Sequence, residues 1–156
     1  MTQTRTVLTF GSISGIILAV LFLTTLSFMD TSSPDNTFGM IIGFLTMFIA
    51  LSVIFVGVKR YRDQELGGVI GFWQALKLGI GMALVASLFY VLGWEAYLAS
   101  TDYAFVQSAI DMGYPDYANP AYRLPITFTE ILPVALVVPL VAAALLRNPR
   151  FMPAKV

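Results

Sequence analysis

The chain has 156 residues, 58% of them hydrophobic and 12% charged, with nine Lys/Arg against nine Asp/Glu and a mean hydropathy of +0.81. Soluble domains hold roughly 45–50% apolar and about 25% charged residues, so this balance excludes both an ordinary soluble globule and a disordered chain and leaves a polytopic membrane protein. With no Cys and no His, disulfides, thiolate or imidazole metal sites, iron–sulfur clusters, a cysteine nucleophile and a histidine base are excluded as well.

A spanning helix needs about 20 mainly apolar residues to cross a hydrocarbon core of about 30 Å. Four segments meet that length, and lipid forces each into a helix because every backbone N–H and C=O must pair internally. They run over about 7–29, 38–58, 72–98 and 125–146, and together they predict a single four-span membrane domain over residues 1–156. The first two hold no ionisable side chain. The third carries Lys77 near one end and Glu95 near the other, and the fourth carries Glu130 early, then Pro133 and Pro139. The first apolar run is too long for the h-region of a signal peptide and no A-x-A-like site follows it, so it is expected to remain as the first span.

Between the spans, Ser32-Ser33-Pro34-Asp35-Asn36 signals a turn, and Gly67-Gly68 punctuates the approach to the third span. The stretch Ala99–Leu124 is the one sizeable loop. Thr101 is placed to cap a short helix from Asp102 to about Met112, closed by Gly113. Its apolar positions Phe105, Val106 and Ile110 suit a helix resting on the membrane surface.

Lys and Arg accumulate on the cytoplasmic side of membrane proteins. In a four-span topology Arg5, Lys59, Arg60, Arg62, Lys77, Arg147, Arg150 and Lys155 share one side with Asp63 and Glu65, eight minus two giving plus six. Asp30, Asp35, Glu95, Asp102, Asp111, Asp116 and Glu130 share the other with Arg123, one minus seven giving minus six. Both termini are therefore expected in the cytoplasm, and the short helix of the long loop in the periplasm. Tyr90, Trp94 and Tyr97 fall where an outer aromatic belt belongs, and Phe72, Trp73 and Phe151 where an inner one does.

Three constellations bear on function. Ala75, Gly79, Ala83 and Ser87 repeat at four-residue spacing, as do Gly11 with Gly15 and Gly39 with Gly43. Such ridges let helices approach closely, and with four spans in one chain they are expected to pack those spans together rather than to mark a homo-oligomer interface. Glu95 and Glu130 lie near the outer ends of their spans, where Arg123 could pair with either. The basic cluster Lys59, Arg60 and Arg62 could touch anionic lipid, but any such topology needs a cluster of this kind, and Asp63 and Glu65 dilute it. It is too small for nucleic acid.

No ionisable group reaches the middle of a span, as coupled transporters typically require, and no phosphate-binding loop or paired aspartates occur. An enzyme is not expected, nor is a cofactor or metal.

Four segments carry a likeness: GVKRYRD (Gly57–Asp63), GGVIGFWQALKLG (Gly67–Gly79), LVASLFYVLGWE (Leu84–Glu95) and TFTEILPVALVVPLVAAALLR (Thr127–Arg147). Nearly the whole chain resembles a family of small four-span bacterial membrane proteins catalogued as domain of unknown function 4199. The K-R-Y-R-D loop followed by Gly-Gly and an aromatic is the most specific part. The positions that match are Lys59, Tyr61, Arg62, Asp63, Gly79, Tyr90, Glu130 and Pro133, and Ala135 departs where Gly is more usual. The resemblance implies four spans and residence in a bacterial inner membrane, and it implies no activity.

The expectation is an all-α integral membrane protein, a non-enzymatic component that packs with itself or with an unknown membrane partner in the lipid bilayer. The alternative is a small passive transporter or channel formed by oligomerisation, which needs Ser14, Thr24, Thr25, Thr46, Ser52 and Ser87 to converge on one path. An outer-face enzyme using Glu95 or Glu130 with Arg123 ranks last.

Overall fold

Five helices account for most of the chain in a computed structural model that describes residues 2–28 and 37–154. They are α1 (Gln3–Phe28), α2 (Thr37–Glu65), α3 (Phe72–Ser100), α4 (Ala104–Asp111) and α5 (Pro120–Leu146), with a 3-10 turn over Pro115–Ala118 before α5. Four of them, α1, α2, α3 and α5, are long and apolar enough to cross a membrane. The fold is all-helical, and the short helix stands between the third and fourth of these. The turn expected over Ser32–Asn36 lies outside the described residues.

Two boundaries move from their expected places for local reasons. α2 continues through the basic segment to Glu65 instead of ending near residue 58. There, Lys59 pairs with Asp63 and Arg60 Nε donates to Gln64 Oε1 at 3.0 Å, both one helical turn apart. The chain then reverses at Gly67 and Gly68, whose φ values of +64° and +92° suit residues without a Cβ. α5 starts at Pro120 rather than Pro125, because Asn119 accepts from the Ala121 N–H at 3.0 Å and Pro120 occupies the first helical turn. Pro125, Pro133 and Pro139 all remain inside that one helix.

The short helix also starts later than expected. Thr101 does not cap it; its hydroxyl turns back to the Tyr97 and Leu98 carbonyls of α3. Asp102 and Tyr103 then take left-handed backbone, at φ +50° and +56°, before α4 begins.

α1 packs on α2 and α3, α5 packs on the same two helices, and α2 also meets α3 across the diagonal. The small residues set these contacts. A Cβ added at Gly11 would lie 2.7 Å from Val85 Cβ, and one at Gly15 would lie 2.6 Å from the Phe89 ring. One at Gly81 would meet Val7 at 3.2 Å, and one at Gly93 would meet Ala19 at 3.7 Å. Positions 7, 11, 15 and 19 thus face 81, 85, 89 and 93, so α1 and α3 run parallel in a fixed register. Gly79 instead faces Pro139 of α5, where a Cβ would sit 2.9 Å from the proline Cβ. Leu18, Leu51, Ile54, Leu78, Met82 and Ile131 are fully buried between the four helices.

Candidate functional site

Charged side chains, Glu130 apart, lie toward the two ends of the bundle, and the buried hydroxyls Ser14 and Ser87 between them bond to backbone. At the end where α3 gives way to α4, Arg123 of α5 reaches Glu95 of α3. Its Nε and Nη2 donate to Glu95 Oε1 and Oε2, each at 2.7 Å, a two-pronged geometry that suits the planar guanidinium. Nη1 donates to the Tyr117 carbonyl at 3.0 Å. The guanidinium carbon lies 5.6 Å from the Tyr103 ring centre and 5.9 Å from that of Tyr117, within cation–π range. Arg123 is 2% exposed. Tyr103 therefore reaches the cation from the left-handed turn that precedes α4.

An aromatic cluster covers this pair. Trp94 Nε1 donates to the Tyr117 hydroxyl at 3.2 Å, stacks on Tyr97 and meets Phe105 edge-on. Phe22 of α1 packs against both Tyr90 and Trp94. Burial pushes the Tyr117 phenol up from its ordinary value, so it stands as a neutral hydroxyl.

Glu130 does not share Arg123 with Glu95. Seven residues separate it from Arg123 along α5, about 10 Å at the helical rise. Tyr90 Oη donates to its Oε2 at 3.1 Å, while Glu130 itself is exposed on the bundle surface. Of the three residues of the expected outer-face group, the structure brings two together and sets the third apart on a different partner. The identity of that partner is invisible in the sequence, because Tyr90 is an equally good membrane-interface anchor.

At the opposite end the basic cluster divides. Arg62 is wholly buried, so of the three cations only Lys59 and Arg60 stand where lipid headgroups could reach them. Its guanidinium donates to Asp63 Oδ1 at 2.7 Å and to the Leu146, Phe151 and Met152 carbonyls. It therefore closes the C-terminal end of α5 and holds the following segment against α2. Phe151 lies edge-on to Phe55 there. Lys59 is held by Asp63, and Arg60 by Gln64. A shallow surface depression next to them is lined by Thr6, Phe10, Arg60, Tyr61, Gln64 and Glu65.

Ala75, Gly79, Ala83 and Ser87 are all buried inside the chain's own bundle. Gly43 is not part of such a contact: a Cβ there would meet nothing within 4 Å. The glycines that fix the α1–α3 register include Gly81 and Gly93, which sequence reasoning passed over. Their twelve-residue separation shows as a packing row only once Val85 and Phe89 between them are seen to face Gly11 and Gly15.

The six hydroxyls that a polar path would require are all engaged with backbone. Ser14 Oγ donates across to the Ala50 carbonyl of α2 at 2.8 Å. Thr24, Thr25, Thr46, Ser52 and Ser87 donate to carbonyls of their own helices at 2.6–2.8 Å. Among the described residues no group of three carboxylates is placed to hold a metal ion.

A family model described as protein of unknown function (DUF4199) matches residues 9–148. No curated protein and no solved structure matches the chain.

Proposed function

The chain belongs to the DUF4199 family, and from its own geometry we propose that it is a non-enzymatic component of a bacterial inner membrane that acts by binding a partner within the bilayer. The observation that carries this reading is the saturation of its internal polar groups. Glu95 and Arg123 lie in contact, close enough for chemistry, but the guanidinium is buried and spent on the Glu95 carboxylate and the Tyr117 carbonyl. A catalytic pair needs an acceptor or donor still open to substrate. The hydroxyls that would line a passage donate to backbone carbonyls, which weighs against conduction. What stays open is the outer apolar surface of the helices.

Orientation follows from charge. Among the described residues Arg5, Lys59, Arg60, Arg62, Lys77, Arg147 and Arg150 gather at one end and Arg123 at the other. The cation-rich end belongs in the cytoplasm, which puts both termini there and α4 in the periplasm.

The test is photo-crosslinking in the native membrane from probes placed at the exposed positions Leu45, Leu88 and Leu140, with a flux assay on the purified chain in vesicles. A discrete protein adduct from one face, together with tight vesicles, is the expected result. Solute flux from the purified chain would favour the channel alternative.

A further inference from the structure

Glu130 combines three properties. It is ionisable, it lies within a membrane-crossing helix, and it is exposed on the outside of the bundle beside an apolar surface. A hydrocarbon core of about 30 Å measured back from Arg147, at the polar end of α5, reaches to about residue 127 and so encloses Glu130. On α3, Leu88 and Leu92 bracket the level of Tyr90 and are 60% and 67% exposed; on α5, Leu136 and Val137 are exposed beyond Glu130.

An ionisable side chain in this setting is costly unless a partner answers it. Tyr90 answers one oxygen, donating to Oε2 and holding the carboxylate at the seam between α3 and α5. A carboxylate has about four acceptor positions, so further donors can still bind.

A second copy of this chain in the same orientation does not supply the missing cation. At this end of the bundle the described cation is Arg123, which is buried and committed to Glu95. The others lie toward the far end; Lys77, the nearest in level, stands opposite about residue 141 of α5, about 16 Å from Glu130 by helical rise. Copies meeting at this seam would oppose like charges. A lipid ammonium fits poorly too, because headgroup amines lie outside the hydrocarbon level at which Glu130 stands.

We infer that the α3–α5 seam around Glu130 docks a transmembrane helix of another protein, one that presents an Arg or Lys side chain at the level of Glu130. This rests on the partner-binding reading above and names the chemistry of that partner. The leucine rows give the incoming helix its apolar contact. The Glu130 carboxylate fixes its depth and rotation through a two-pronged bond to the cation.

The experiment uses the full chain, donor-labelled, in phosphatidylcholine vesicles with acceptor-labelled synthetic Leu/Ala transmembrane helices as probes. One probe carries a single Arg at the level of Glu130, a second carries Gln there, and a third carries Arg at the opposite end. Energy transfer is expected to show the first probe bound roughly tenfold more tightly than the other two, and Glu130→Gln to abolish that preference with helicity unchanged by circular dichroism. Equal binding of the Arg and Gln probes to the unaltered chain overturns the inference, whatever the variant does. A preference that survives in folded Glu130→Gln overturns it as well. If the preference vanishes when phosphatidylethanolamine replaces phosphatidylcholine, a lipid ammonium holds the site and the helix does not. A failure here in vesicles that remain tight refutes the cationic helix alone; leaking vesicles refute the non-conducting component itself.

Discussion

Arg123 and Glu95, 28 residues apart in the chain, meet through two parallel hydrogen bonds of 2.7 Å each and lock the first turn of α5 to the last turns of α3. The contact is antiparallel in register with the approach of Gly79 to Pro139 near the other end of the same two helices. A charge clamp and a glycine contact therefore hold one helix pair at both ends.

Removing one member of a buried pair strands the other, at a cost of about 3–5 kcal/mol. Arg123→Ala is expected to lower the unfolding midpoint in detergent sharply. Arg123→Lys should recover only part of the loss, because an ammonium cannot make the two-pronged bond. Glu95→Gln combined with Arg123→Gln should cost less than the sum of the two single changes. Strictly additive costs would show that the two residues do not act as a pair.

The glycines make opposite predictions at two positions. At Gly79 a Cβ already falls 2.9 Å from Pro139, so Gly79→Leu should reduce the folded, monodisperse yield severely, and Gly79→Ala should cost about 1–3 kcal/mol. At Gly43 the space is open. Gly43→Ala should be neutral or stabilising by up to about 1 kcal/mol, through helix propensity alone. Equal sensitivity at both sites, read from size-exclusion profiles, would remove the packing account.

Arg62 and Arg60 are neighbours in charge but not in role. Arg62→Gln should free the segment after α5, so that limited proteolysis cuts within residues 147–152 at least several-fold faster. Arg60→Gln should leave the cleavage rate unchanged, since Arg60 reaches Gln64 and not the C-terminal segment. Protection retained in Arg62→Gln would mean that Phe151 packing against Phe55 suffices.

The proposed orientation is checked by reporter fusions. A fusion after Pro34 and one near Asp111 are expected to report the periplasm, and one at Gln64 the cytoplasm. The reverse pattern would mean that the arginine and lysine bias does not govern this chain.

Much of the fold is legible without coordinates because hydrocarbon leaves the chain little choice. Long apolar runs must be helices, and charge bias orders their ends. The helix boundaries were less legible. α2 extends past residue 58 because the pairs Lys59–Asp63 and Arg60–Gln64 favour helix in a stretch whose polarity reads as loop. Thr101 has the composition of a cap, yet its hydroxyl satisfies carbonyls at the end of α3.

By itself the sequence determined a four-span helical membrane protein, a charge asymmetry between its two sides, and a set of small residues suited to close helix contact. These follow from composition and periodicity, which act locally and survive any arrangement of the helices. Only the tertiary structure decided which partners meet. It gave Glu95 to Arg123 and Tyr90 to Glu130, turned Arg62 inward to close α5, and left Glu130 facing out. Such choices depend on the rotation and register of each helix against its neighbours, which packing sets across the whole bundle and no single segment encodes.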